Sequence, residues 1–330
     1  MLYKRVFTPF VCSMLFLGAV TAAEHAGFQG YESIDIGVYL PHSKVVSTIA
    51  KGINAAGDIV GRYTDETGTH GFLLSHGSVT TIDVGAYGAA LGCPQATFTT
   101  AEGINAEGEI SGFCNDASGN SKGFLRYSFG GLVPIDFPAA MAPANEISPD
   151  NTLAEHITSN SMIVGCFHHL NDTKTTPGDW DTARGGTMYG FVYANGTYSY
   201  LPVKGTMNNG ITPDGHLVVG VVWPTFDTSY AYTVTNGVYQ LLDLSRMGAV
   251  TSYATDVNPA GEIVGFFNNS AGAHGFLVDK NGLVLLDYQG TTAGTRAWGI
   301  NAPGDVVGSY TMNNKNYGFV LRRSRSQAHD

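Results

Sequence analysis

The sequence predicts an all-β protein, a β-propeller of six four-stranded blades whose last blade is closed by the N-terminal strand. Three observations predict it. A ten-residue stretch running from Gly52-Ile53-Asn54 to Ile59-Val60-Gly61 returns at residues 103–112 and 299–308. It returns in worn form at 256–265, and in two degraded copies at 156–165 and 210–220, the last with one extra residue. Between the copies lie short apolar and aromatic runs bounded by Gly, Asn and Asp, with no sustained helical period. The composition agrees: 43 Gly, 17 Tyr and 17 Phe beside only 13% charged residues suit a turn-rich β chain.

From the N-terminus, Lys4-Arg5 and an apolar run over residues 6–20 precede the small residues Thr21-Ala22-Ala23, the pattern of a secretory leader cleaved after Ala23. Domain expectations follow: a leader at 1–23, one propeller at 24–323 and a disordered tail at 324–330. The mature chain is expected to be soluble, exported and free of the membrane. Loss of Lys4 and Arg5, with no acidic residue lost, moves the formal charge from −10 to −12. Such a chain is a poor partner for nucleic acid, which needs clustered Lys and Arg. The one basic cluster, Arg322-Arg323-Ser324-Arg325, reads as a solvated tail.

Each repeat has four parts. A short strand ends in Gly-Ile-Asn, as at Gly103-Ile104-Asn105, and a Gly turn leads to a second strand such as Ile59-Val60-Gly61-Arg62-Tyr63. A variable loop then leads to Gly-Phe-Leu, as at Gly71-Phe72-Leu73 and Gly123-Phe124-Leu125, and a fourth strand ends in Ile-Asp or Leu-Asp, as at Ile82-Asp83 and Leu286-Asp287. The sixth unit stops after Phe319-Val320-Leu321, while Tyr31-Glu32-Ser33-Ile34-Asp35-Ile36 is an orphan strand at the other end of the chain. Pairing the two leaves no open sheet edge. The repeated terminal Asp reads as a turn cap rather than a catalytic set.

These repeats resemble the bacterial and fungal extracellular repeat family called HAF. The match is carried by the Gly-Ile-Asn turns and by Thr69-His70-Gly71-Phe72-Leu73 and Ala273-His274-Gly275-Phe276-Leu277, and it covers nearly the whole mature chain. Units three and four depart most, with His156-Ile157-Thr158 for Gly-Ile-Asn and Ala231-Tyr232-Thr233 for Gly-Phe-Leu. The resemblance implies fold and export, not a reaction.

Three Cys remain after the leader. Cys93 and Cys114 both fall on the loop-rich face around unit two and are the expected disulfide; Cys166, just past a strand end of the next unit, competes. Asn171, Asn195 and Asn268 head glycosylation sequons. No Cys or His spacing suits zinc, and no hydrolase, phosphate-loop or calcium motif is present, so the expected cofactor and metal are none.

The long connections share one face, which is where a binding site on a rigid scaffold belongs. The strand nearest the axis carries a variable residue before each Gly-Ile-Asn equivalent: Lys51, Glu102, Glu155, Asn209, Thr255 and Trp298. Two residues earlier, on the same side, sit Ile49, Thr100, Leu153, Met207, Tyr253 and Arg296. This mixture reads either as a polar and aromatic lining or as a ring of interblade salt bridges with Lys51 between acids. Trp223 and Phe226 add an aromatic wall or pack in the core. An insertion beginning at His168-His169 and containing Asp179-Trp180-Asp181 reads as a lid or as a surface loop with incidental His.

In size, leader and repeat content the chain is also similar to the exported fungal hetero-Diels–Alderases of tropolone-sesquiterpenoid biosynthesis. They dehydrate a hydroxymethyl tropolone to an ortho-quinone methide and join it to a humulene-type alkene. The resemblance implies small hydrophobic substrates and chemistry that needs no nucleophile or metal. It implies Glu102 or Glu155 as the acid for water loss and Arg296 or Lys51 at the tropolone oxygens. Tyr253, Trp223, Phe226 and Trp298 would hold the reactants, with His168 a further contact at the mouth. The rival is an exported binding module for a glycan or small hydrophobic ligand, using the same mouth without turnover.

Overall fold

A computed structural model describes residues 21–22, 27–143, 150–168, 188–225, 228–291 and 293–324. The leader apart from Thr21 and Ala22, Asn171, the acids and Trp of the insertion, Phe226 and the tail beyond Ser324 lie outside the described residues. Among the described residues no helix is long and apolar enough to cross a membrane.

Strands β1 (Thr21–Ala22) and β2 (Phe28–Ile34) open the chain. Four strands then pair antiparallel in sequence order: β3 (Ser47–Ile53), β4 (Ile59–Asp65), β5 (Gly68–Ser75) and β6 (Ser78–Ile82). The pattern repeats in β7 (Thr99–Ile104), β8 (Ile110–Asn115), β9 (Ser121–Arg126) and β10 (Leu132–Ile135). It repeats again in β11 (Asn151–Ile157), β12 (Ile163–His168), β13 (Met188–Ala194) and β14 (Thr197–Tyr200). The next sheet is β15 (Thr206–Ile211), β16 (Leu217–Thr225), β17 (Thr228–Thr235) and β18 (Val238–Leu241). After it come β19 (Thr251–Val257), β20 (Ile263–Asn269), β21 (Gly272–Asp279) and β22 (Gly282–Leu285), against which β1 lies parallel.

The last three strands are β23 (Thr295–Ile300), β24 (Val306–Met312) and β25 (Lys315–Arg323). Strand β2 lies antiparallel to β25, with Tyr31 opposite Leu321 and Ile34 opposite Gly318. A single parallel pair, Asn316 with Ser47, joins this group to β3, so hydrogen bonding counts the two groups as one eight-stranded sheet. The first strands touch in succession, β3 to β7 to β11 to β15 to β19 to β23, and β23 touches β3. The architecture is an all-β propeller with these first strands nearest the axis.

The repeated residues are explained by close packing. In the second strand of each group a Gly faces the first strand: a Cβ at Gly61 would run into the Ile49 carbonyl oxygen, and one at Gly165 into that of Leu153. The aromatic of the Gly-Phe motif fills the space over that Gly; Phe72, Phe124, Phe191, Phe276 and Phe319 are fully buried, with Tyr232 in the diverged sheet. Each such ring is worth roughly 1.5–3 kcal/mol in burial.

The Asn of Gly-Ile-Asn serves two purposes. Its Oδ1 accepts from the backbone four residues on, as Asn301 does from Asp305 N at 2.7 Å, closing the turn. Its Nδ2 reaches the next sheet: Asn54 donates to Asn105 O (3.3 Å), Asn105 to Thr158 O (3.3 Å), Asn258 to Asn301 O (3.2 Å) and Asn301 to Asn54 O (2.9 Å). The terminal Asp of the fourth strand anchors turns and the His of His-Gly-Phe. Asp243 accepts from Ser245 N at 2.9 Å, and Asp83 and Asp287 meet His70 and His274 Nδ1 at 3.0 and 2.8 Å.

One expectation is corrected. Arg322 and Arg323 are not solvated tail residues; they end β25, where Arg322 pairs with Asp305 (3.4 Å) and Arg323 with Glu262 (2.6 Å). Unneutralised acids at the ends of the Gly-Ile-Asn turns supply their counter-charges.

Candidate functional site

The first strand of every group carries a β-bulge at the same place. The register slips between Ala50 and Gly52, Ala101 and Gly103, Ala154 and His156, Asn208 and Gly210, Ala254 and Asp256, and Ala297 and Gly299. The residue left without a partner is Lys51, Glu102, Glu155, Asn209, Thr255 or Trp298. A bulge re-aims the side chain it releases, and all six line one axial cavity of about 210 Å³. Met207 and Tyr253, two residues upstream, line it as well; Arg62, Phe113 and Phe266 come from second strands, and His156 and Asp256 follow their bulges.

The lining is mixed polar and aromatic; among the described residues one ion pair, Lys51–Glu102, joins bulge residues of neighbouring strands, and Lys51 lies between an acid and an indole rather than between acids. Lys51 Nζ bridges neighbouring first strands to Glu102 at 2.8 Å while lying 3.8 Å over the Trp298 ring. Glu102 also accepts from Thr100 Oγ1 at 2.6 Å and faces Arg62 at 3.8 Å. Burial works to raise the Glu102 carboxyl, but the Lys51 ammonium, the Arg62 guanidinium and these hydrogen bonds outweigh it and hold it below the usual range. Glu155 lies near enough to Glu102 to feel its charge, and among the described residues it forms no ion pair of its own. Burial, then the Glu102 charge, push it up to about 7 against the opposing pull of Lys51 and Arg62. Of the two carboxyls, Glu102 is held down and Glu155 is pushed towards its protonated form.

Aromatic rings form the opposite wall. Tyr253 stacks on Phe266 at 4.5 Å, and Trp298 meets Phe266 edge-on at 5.1 Å with its indole N–H donating to Ser309 Oγ at 3.0 Å. Asn209 donates to Ala254 O at 2.8 Å, while its Oδ1 is buried with no hydrogen-bond partner among the described residues. On the cavity floor His156 Nδ1 lies 3.1 Å from Asp256 Oδ1. Burial raises the Asp256 carboxyl, opposed by His156 and by hydrogen bonds from Ile300 N and Val257 N. Among the described residues no three His, Cys, Asp or Glu side chains are arranged to hold a metal ion.

The other sequence candidates sit further out. Arg296 does not line the cavity; its guanidinium lies 5.5 Å over Phe266 and burial depresses its pKa. Trp223 packs edge-on against Tyr253 at 6.0 Å, one layer behind the wall. His168 is buried at the end of β12, away from the cavity. Cys93 and Cys114 form the disulfide, with Cα atoms 6.3 Å apart, and Cys166 is the buried free thiol, its pKa raised by burial and by Glu155. Asn195 is exposed in a turn, whereas the Asn268 amide donates to Thr251 Oγ1 at 2.8 Å within a strand pair.

Arg62, Phe113, Phe266, His156 and Asp256 are the site residues that sequence reasoning missed. The signal for the first three is the position after each second-strand Gly, which reads Arg62, Phe113, Cys166, Val221, Phe266 and Ser309 around the ring. The signal for the last two is the replacement of the Gly of Gly-Ile-Asn by His156 and by Asp256. A larger cleft of about 270 Å³ lies at the perimeter between Tyr230, Leu242 and Val250; its one ionisable side chain besides Tyr230 is Asp243, which caps Ser245.

No family model matches the chain, and no curated protein matches it. Solved structures do. A putative TolB of Agrobacterium tumefaciens aligns over 84% of this chain and 90% of its own, with 12% identity and a TM-score of 0.51. A gluconolactonase of Xanthomonas campestris aligns over 96% and 99%, with 13% identity and a TM-score of 0.48. The propeller domain of the trilobed protease of Pyrococcus furiosus aligns over 87% and 97%, with 9% identity and a TM-score of 0.47. At these identities the likeness is one of fold alone.

Proposed function

We propose that the axial cavity is the active site of an exported enzyme that removes water from a hydroxymethyl tropolone and couples the resulting ortho-quinone methide to a humulene-type alkene in a hetero-Diels–Alder reaction. The observation that carries the reading is the Glu102–Glu155 pair. A carboxyl held protonated to about pH 7 beside an ionised one is a proton donor suited to a leaving hydroxyl. Glu155 gives its proton to the hydroxymethyl oxygen, the carbon–oxygen bond breaks and water leaves, and the ring hydroxyl loses its proton. The Tyr253, Phe266 and Trp298 wall faces the developing π system, and Asn209 Oδ1 offers an acceptor for a substrate hydroxyl. At about 210 Å³ the cavity takes the tropolone partner. The terpene would then approach from the loop-rich mouth, towards Trp223.

The reading includes six blades, counting the eight-stranded sheet as two and completing the last with β2, and an exported, glycosylated chain. The Cys93–Cys114 disulfide supports export, since such bonds persist in oxidising compartments. The test is incubation of the secreted protein with a hydroxymethyl tropolone and humulene, followed by chiral chromatography. One stereoisomer formed faster than with boiled protein is expected. Only the slow racemic background would overturn the reading and turn attention to ligand binding without turnover.

A further inference from the structure

Dehydration of this kind needs two proton stations, one for the departing hydroxyl and one for the ring hydroxyl, and the acid pair supplies only the first. We infer that His156, oriented by Asp256, is the base that takes the ring-hydroxyl proton; the inference rests on the reading of this cavity as a dehydrating site. Both residues stand where the repeat otherwise has Gly. At those positions a side chain meets the next first strand: a Cβ on Gly52 would lie 2.8 Å from Glu102 O and one on Gly299 2.5 Å from Lys51 O. His156 and Asp256 belong to β11 and β19, with β15 between them. Gly210 of β15 makes the contact possible, because a Cβ there would lie 2.9 Å from Asp256 Cα and 3.0 Å from its Oδ1.

The dyad is built like a catalytic base. Asp256 is fixed by Ile300 N at 2.9 Å and Val257 N at 2.7 Å, and meets His156 Nδ1 at 3.1 Å. An ionised Asp256 selects the tautomer with the proton on Nδ1, leaving Nε2 as the acceptor. No other hydrogen bond holds the His156 ring among the described residues. His156 adjoins Glu155 in sequence, and both line the cavity, so the bulge delivers acid and base from one strand.

The step balances. The ring O–H proton passes to His156 Nε2 and its electron pair forms the carbonyl. The ring-to-methylene bond becomes double, the methylene–oxygen bond breaks, and the hydroxyl leaves as water with the Glu155 proton. His156 ends as imidazolium and Glu155 as carboxylate, and transfer of one proton between them restores the site.

The test uses the full chain labelled with ¹⁵N-histidine, and tropolone as a probe that has the acidic hydroxyl but no leaving group. At a pH where free tropolone is neutral, bound tropolone is expected to absorb as tropolonate while one histidine takes imidazolium ¹⁵N shifts. In His156→Asn the bound probe should absorb as the neutral form, and turnover of hydroxymethyl tropolone should fall about 100-fold or more. In Asp256→Asn binding should persist with a smaller loss. Neutral tropolone in the wild-type protein, or unchanged turnover in a folded His156→Asn variant beside an active wild type, overturns the inference alone. A wild-type protein that neither binds tropolone nor turns over overturns the reading of the site and the inference with it. The wild-type spectra decide the matter even if a variant does not fold.

Discussion

Glu155 and Glu102 reach one axial cavity from neighbouring first strands, and the Glu102 charge adds to burial in pushing the Glu155 carboxyl up. The asymmetry comes from Lys51, whose ammonium lies 2.8 Å from Glu102, the nearest cation to the pair. Like charges this close cannot both ionise cheaply in a buried site, so the cation decides which carboxyl keeps the proton.

Glu155→Gln should abolish the acid while keeping the shape of its protonated form. Turnover of the dehydrating substrate is expected to fall about 10²–10⁴-fold, with tropolone binding little changed. Equal kcat in the variant and wild type would remove Glu155 from the chemistry.

The same residue sets a pH dependence of stability. Its folded pKa, about 7, is above the unfolded 4.5, so its contribution is full below 4.5 and is lost as pH rises through 7. Glu155→Gln should therefore gain Tm relative to wild type as pH rises across that window. Parallel Tm curves for the two proteins would contradict the assignment.

Lys51→Met leaves Glu102 buried without its nearest cation. Breaking a buried pair by removing one partner costs about 3–5 kcal/mol, and Lys51 and Glu102 side chains are only 10% and 3% exposed. Chemical denaturation should show that loss, and Lys51→Met with Glu102→Gln should recover much of it. A double variant no more stable than the single would mean the cost is packing rather than charge.

Asn301 ties its own turn to the matching turn of the chain's first repeat through Asn54 O. Asn301→Ala should cost about 1–3 kcal/mol by leaving buried backbone groups unpaired. Thr158→Ala, at a position whose side chain bonds, among the described residues, only within its own turn, should cost less. Urea midpoints of the two variants give the comparison.

Removal of residues 24–34 strips β2 from β25 and exposes its backbone edge together with Phe319 and Leu321. The truncated chain is expected to aggregate or to lose its cooperative melt, because an open apolar edge invites pairing with another chain. A monomeric truncation with unchanged Tm would show that β2 is dispensable.

Much of the site was legible before the structure. Lys51, Glu102, Glu155, Asn209, Thr255 and Trp298 stood out because they vary at one position of an otherwise regular strand. What was not legible was that this position is a bulge, so that its neighbours His156 and Asp256 also reach the axis. Arg62 displaced Arg296 as the arginine at the cavity, beside Lys51, for a related reason. Arg62 stands opposite Ile49 and turns inward beside Glu102, whereas Arg296 finds the face of Phe266.

The sequence by itself determined the strands, their order and the glycines beneath the aromatic rings, and it favoured the Cys93–Cys114 disulfide while leaving Cys166 a competitor. All of these are properties of one repeat or of a short span of chain, and local periodicity, turn chemistry and steric need specify them. Tertiary structure alone decided which carboxyl is pushed up and which is held down, and that His156 meets Asp256. Both depend on residues from different repeats meeting at the axis, roughly fifty to a hundred positions apart in the chain. A repeat encodes its own fold in its own residues; the chemistry between repeats exists only once the ring has formed.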